Sequence, residues 1–410
     1  MPRESTVSRV LPAEHAVLFM LGNDDNDGDV ADALRGRVDW PALLALAHSE
    51  RATGELQRRI HTLSGVRVPE DTWSALQRMA MIADFETAQL QECLRDALGV
   101  LESLDARVML LKGAAHVCSV YGGDFRHRPM ADIDLLVDSS RAPSVQAALT
   151  ASRWRQTVVG DLASAYIEHH HLPPLRDARG TNARLEIHTA PFAPGHPFGL
   201  TTERLWASAE RLTPGQGAVT SPARGVFIPA LGHQLLHVCL HFAWSHVMRF
   251  GAWRTFRDIR AFATSGRIDW EGFTRVAREM RAGTACYWTF RLAQTAAGVR
   301  LPPHVLDALR PPRPEWYLRG LERHYLLNLL PIRPASPSVR LDRAMWELGM
   351  LPARSGFRSV RPWDRDEQFV ASARPSSPNP AGPSRQLWST ARYLSTVVGG
   401  SAREQRRNQS

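Results

Sequence analysis

Asp132-Ile133-Asp134-Leu135-Leu136-Val137-Asp138 is the stretch on which the reading of this chain turns. It has the length of one buried strand, its apolar residues are Ile, Leu and Val, and aspartates alternate at its start. Strand side chains point to opposite faces in turn, so Asp132 and Asp134 project together while Ile133 and Leu135 enter a core. Two carboxylates on one face at the mouth of a small sheet suit hard divalent cations, which take oxygen ligands. Two such metals, about 3.5–4 Å apart, activate an attacking oxygen and stabilise a leaving pyrophosphate.

Working outward, Leu110-Leu111-Lys112-Gly113 lies just upstream, and Lys112 is the one lysine among 50 basic residues. A lysine kept in an arginine-biased chain points to a need for a compact, flexible charge, as at a phosphate in a tight site. Val108 to Leu111 reads as a short strand and Lys112-Gly113 as the turn into a helix beginning near Ala114, whose N-terminus favours anions. Downstream, Ala183 to His188 reads as another strand, with Arg184, Glu186 and His188 on one face and Leu185 and Ile187 on the other. Glu186 is the candidate third carboxylate. The order strand, Lys-Gly, helix, Asp-x-Asp strand, acidic strand makes metal-dependent nucleotidyl transfer the leading expectation. Arg126 and Arg128, just before the aspartate strand, read either as a bidentate phosphate clamp or as surface loop charge.

These residues resemble the uncharacterised nucleotidyltransferase family of the polymerase-beta-like superfamily. The resemblance rests on Leu111-Lys112-Gly113-Ala114-Ala115, Tyr121, Arg126-His127-Arg128-Pro129, Asp132 through Val137, and Glu186-Ile187-His188. Flanking likeness at Asp39-Trp40 and around His237 to His241 extends it over roughly residues 35 to 330. It implies an α+β fold, a small mixed-sheet palm between helical regions. It also implies Mg2+ or Mn2+ on Asp132, Asp134 and Glu186, with Lys112, Gly113, Arg126 and Arg128 at the nucleotide. The expected reaction moves an NMP from an NTP, ATP foremost, to an unidentified acceptor and releases pyrophosphate. One departure stands out: the superfamily's Gly-Ser is Gly113-Ala114 here, so a phosphate-binding hydroxyl is missing. That keeps an alternative open, a catalytically degenerate nucleotide-binding or antitoxin-like partner protein.

The 410 residues allow two or three domains, divided here as 1–105 helical, 106–215 palm, 216–330 helical and 331–410 a Pro/Arg-rich, largely flexible tail. Asp39 caps a helix with Pro41 in its first turn. A longer helix from about Asp71 to Leu104 carries an apolar stripe including Trp73, Leu76, Ile82, Phe85, Leu90 and Leu101. The net charge is +9, but the tail from residue 331 holds 13 Arg against 6 acidic residues, so nucleic-acid binding is possible and not favoured. Gln386 to Val398 is the one part of the tail with amphipathic spacing.

Four scattered cysteines without CxxC spacing argue against a disulfide framework or zinc knuckle. With no secretory pattern and no membrane-length apolar run, the expectation is a cytoplasmic protein without a membrane partner. His233-Gln234-Leu235-Leu236-His237 imitates a zinc-protease motif but puts Gln234 where the general base belongs. His233, His237 and His241 form a row at helical spacing, read first as packed or hydrogen-bonded histidines. His169-His170-His171 reads as a strand edge near the site or as a loop cluster, with no metal assigned.

Overall fold

The computed structural model describes residues 11–23, 26–36, 38–157, 166, 169–212, 225–330, 339–350 and 393. Its architecture is α+β: a seven-stranded mixed sheet between helical layers. The chain enters through α1 (Ala13–Met20), α2 (Asp27–Arg35), α3 (Trp40–Ser49), α4 (Thr53–Thr62) and the long α5 (Glu70–Ser103). Then come β1 (Val108–Leu110), α6 (Lys112–Val120), β2 (Asp132–Leu136), α7 (Ala142–Ser152), β3 (Trp154–Gln156), β4 (Leu175–Asp177) and β5 (Arg184–His188). A short α8 (Thr202–Ala207), β6 (Glu210–Arg211) and β7 (Val226–Ile228) close the sheet. The remaining helices are α9 (Leu231–Leu240), α10 (Ala252–Thr264), α11 (Trp270–Glu279), α12 (Gly283–Ala297), α13 (Pro303–Leu309), α14 (Glu315–His324) and α15 (Val339–Met350).

Strand order is β3-β4-β5-β2-β1-β7-β6, with β2 parallel to β5 and β1 antiparallel to β2. The two-residue period sends each strand's alternate residues into different cores. Val108, Leu110, Ile133, Leu135 and Val137 pack under α6, α7 and the second half of α5. Met109, Leu111 and Leu136 face a larger core built jointly from the N-terminal and C-terminal helices. The carboxylates of β2 and β5 therefore open toward the helical layer.

Local signals set the element ends. The Asp39 carboxylate accepts from the Ala42 amide at 3.0 Å, with Pro41 in the first turn. α5 starts after Pro69 with Glu70 and Asp71 in its first turn, where acidic charge suits the helix dipole. Three expectations need correction. Ile82 and Phe85 are exposed, because the middle of α5 outruns both cores. The sequence around Leu172 to Leu175 also reads as a strand, but β4 is Leu175–Asp177. Within the stretch read as a flexible tail, Val339–Met350 is a helix that buries Trp346 and Met350 in the larger core. Trp346 Nε1 donates to Ala243 O at 2.8 Å, an anchor that the Pro/Ser-rich flanks concealed. Of the Gln386 to Val398 segment only Tyr393 is described; its hydroxyl lies 2.9 Å from His324 Nδ1, and the rest is outside the described residues. Among the described residues, no helix is long and apolar enough to cross a membrane.

Candidate active site

Parallel pairing sets Asp132 opposite Arg184, Asp134 opposite Glu186 and Leu136 opposite His188. Asp134, Glu186 and His188 thus share one face across two strands. His188 Nε2 lies 2.8 Å from Asp134 Oδ1 and 3.4 Å from Glu186 Oε2. Lys112 Nζ donates to the same Asp134 oxygen at 2.7 Å. One ligand atom from each of Asp134, Glu186 and His188 falls within 4.8 Å of the others, a spacing able to hold a metal ion. Asp132, half-buried at the start of β2, stands on the same strand face beside them.

The charges are strongly interdependent. Burial opposes the charge on Asp134, yet Lys112 and His188 hold it well below the usual carboxylate range. Burial likewise opposes the Lys112 ammonium, and Asp134, backed by Asp132 and Glu186, holds it above its ordinary value. Burial and then the neighbouring Asp134 charge push Asp132 up. His188 stays above the ordinary imidazole value because its hydrogen bonds to Asp134 and Glu186 outweigh its burial. Such groups titrate as a set.

Lys112 sits at φ 47°, the left-handed region that side-chain-bearing residues rarely adopt. Strain of this kind persists where the surroundings over-determine it, and it turns Lys112 off β1 toward Asp134. α6 begins at Lys112 itself, two residues before the expected start. A Cβ on Gly113 would approach the Met130 side chain to 3.2 Å, so glycine lets the loop before β2 close over the turn.

Facing this strand wall is a cavity of about 90 Å³, lined by Lys112, Arg128, His237, His241, His246, Arg254 and Asp258 among others. Asp258, buried on α10, organises one side. It accepts from Arg128 Nε at 2.7 Å and Tyr121 Oη at 2.8 Å, and its other oxygen is 3.2 Å from His116 Nδ1. Burial opposes its charge, but Arg128 and His116 hold it far below the usual carboxylate value. Burial lowers His237 to about 3 and His246 to about 4, so both rings are neutral at neutral pH.

The sequence-based candidates divide. Lys112 and Arg128 both line the cavity. Arg126 does not: it is held by Asp124 through hydrogen bonds of 3.1 and 2.8 Å, and 65% of its side chain is exposed. The helical histidine row also splits. His233 pairs with Ser208 Oγ at 2.6 Å, while His237 and His241 line the cavity. Gln234 donates to Ser119 Oγ and Pro229 O, a packing role. His169, His170 and His171 gather beside the site, with His171 bridged to His188 and its Nε2 3.8 Å from Glu186. His188, Asp258, His246 and Arg254 went unassigned in the sequence reading. His188 alone had a signal, since it shares the Glu186 face at i+2.

Carboxylates thus pair across adjacent strands, beside a lysine on a strained strand-to-helix turn. The profile of the uncharacterised nucleotidyltransferase family matches residues 36–298, more than half of the chain, and the chain belongs to that family. No curated protein and no solved structure matches it.

Proposed function

We propose that this chain transfers a nucleoside monophosphate from an NTP to an acceptor nucleophile, with pyrophosphate leaving. The observation that carries the reading is the convergence of Asp134, Glu186, His188 and Lys112 from three elements onto one oxygen-rich point. The residues fit a divalent cation. Two carboxylates and an imidazole lie within ligand spacing, and Asp132 adds a further carboxylate on the same face. Asp132, Asp134 and Glu186 would hold Mg2+ or Mn2+, which would supply Lewis acidity for phosphoryl transfer. His188 orients Asp134 and Glu186 through one ring nitrogen, Nε2. Glu186, the more exposed of that pair, is the group placed to take the acceptor's proton. Lys112 and Arg128 neutralise the phosphate chain.

The test is a labelled-NTP screen with Mg2+ or Mn2+ against pools of metabolites and macromolecules, read by label transfer and pyrophosphate. Metal-dependent transfer that disappears in Asp134→Asn supports the proposal; undiminished transfer in that variant removes it. Ala114, in place of the superfamily serine, favours a second reading as a degenerate nucleotide-binding module. That reading expects an NTP to raise Tm in wild type while no pyrophosphate forms.

A further inference from the structure

The cavity facing the strand wall carries positive charge that its own lining does not balance. Lys112 is taken up by Asp134, and Arg128 by Asp258. Arg254, in the first turn of α10, has no hydrogen bond or ion pair among the described residues. Burial pulls its pKa below the ordinary arginine value, and Glu50 offsets this only from a distance while accepting instead from the Trp253 amide at 3.2 Å. Asp258, the one acid in the lining, is already shared by Arg128, Tyr121 and His116. Burial keeps His237, His241 and His246 neutral, so they cancel nothing.

Arg254 is half-buried and reaches carboxylates, Glu50 and Asp132, only through space, so its charge is poorly compensated; a charge held in that way is kept for a reason outside the folded chain itself. The backbone that delivers Arg254 is costly too. After α9 the chain runs through a π-helical turn, His241–Ser245, and then through Val247 at φ 44° and Met248 at φ 60°. Positive φ on a β-branched residue is a genuine outlier, and π turns and strain of this kind cluster at ligand sites. The strained segment ends at Gly251, whose φ of 69° suits glycine, and α10 begins one residue later with its N-terminal dipole toward the cavity region.

We propose that Arg254, with Arg128 and Lys112, forms a phosphoryl seat contributed by the helical layer, built to receive a phosphate-bearing ligand at the carboxylates. The cavity's 90 Å³ is well below the roughly 300–1,000 Å³ that encloses a whole small-molecule ligand, so it takes a group and not a nucleoside. Assigning that group to the donor nucleotide rests on the transfer reading; the seat does not. The same chemistry could come from a phosphomonoester on the acceptor.

The experiment titrates the full chain with inorganic pyrophosphate and with inorganic phosphate, in chelator, by calorimetry and by Tm. Wild type is expected to bind, and Arg254→Gln to weaken binding by about tenfold or more. The unliganded Arg254→Gln protein should melt at or above the wild-type Tm, because it no longer withdraws from water a guanidinium that has no hydrogen bond or ion pair among the described residues. Arg254→Lys should recover part of the affinity, and the exposed Arg275→Gln should bind as wild type does. Preference for pyrophosphate assigns the seat to the nucleotide's phosphate chain, and equal affinity for phosphate assigns it to a phosphomonoester. Wild-type affinity in Arg254→Gln, equal loss in Arg275→Gln, or a clear fall in unliganded Tm overturns the proposal. If pyrophosphate binding depends on Arg254 while no NTP is turned over, the seat stands and the transfer reading fails. Turnover indifferent to Arg254 gives the reverse.

Discussion

Asp134, Glu186 and His188 meet because two strands pair in register, whereas Arg128, Asp258 and Arg254 meet because segments more than a hundred residues apart pack together. On the strand wall opposite charges meet directly: Asp134 holds Lys112 and His188, and those two hold Asp134. The helical wall has one over-subscribed acid, Asp258, and a guanidinium, Arg254, without a hydrogen bond or ion pair among the described residues. Substitution of Asp134 on the strand wall should therefore damage chemistry and stability together. At Arg254 on the helical wall the two effects should separate.

The sharpest break of this contrast is Asp134→Asn. Transfer should fall by at least about 100-fold, since a charged metal ligand is lost, and Lys112 is left buried without its anion at a cost near 3 kcal/mol. Asp132→Asn should match it in activity but not in Tm, because Asp132 carries no comparable buried pair; normal transfer in either variant would defeat the metal-site reading. Asp258→Asn comes next. It loosens Arg128, Tyr121 and His116 at once, and should lower NTP affinity by about tenfold and stability by about 2 kcal/mol, read by calorimetry and chemical denaturation. Lys112→Ala should weaken NTP binding, with Lys112→Arg restoring it only in part; equal affinity across the three would make this lysine incidental.

Acid should separate the walls further. His15, His237, His246 and His324 have folded pKa values lowered by burial to about 4, 3, 4 and 3, against an ordinary 6.5. Below pH 6.5 the unfolded chain takes up protons that these folded sites refuse. Their stabilisation is complete above about pH 6.5 and declines by about 1.4 kcal/mol per unit per histidine as pH falls toward the folded values. A Tm that stays level from pH 7 to 4.5 would contradict this, and His237→Gln should flatten the slope. The smallest effect is expected from ending the chain at Ala371. It removes the Tyr393 hydroxyl from His324, and should lower Tm by about 2 °C without changing transfer.

What could be read beforehand followed the same division. The carboxylate strand, Lys112 and Glu186 were legible because their chemistry is spelled by near neighbours and a period of two. Asp258 and Arg254 lie in Trp253-Arg254-Thr255-Phe256-Arg257-Asp258, where arginine is common and no spacing distinguishes the one that lines the cavity. Their roles arise only when α10 packs beside α6. Ile82 and Phe85 misled for the converse reason: a stripe marks what a helix can bury, while the length of the opposing surface decides what it does bury. The α15 helix escaped notice because Trp346 was read with its proline-rich surroundings. The family, fold and carboxylate strand are open to inspection; the partner charges across the cavity are not.

The 34 residues of α5 amount to about 51 Å of helix, enough to enter both cores. Leu76 belongs to the larger core, and Leu90 through Leu101 belong to the smaller one beneath the sheet. Neither half can lose its packing without fraying the rod that the other half grips, and the sheet ties the same two cores together through opposite faces. Heat should therefore find a single cooperative unit, with the carboxylate strand opening to hydrogen exchange only when the whole molecule does.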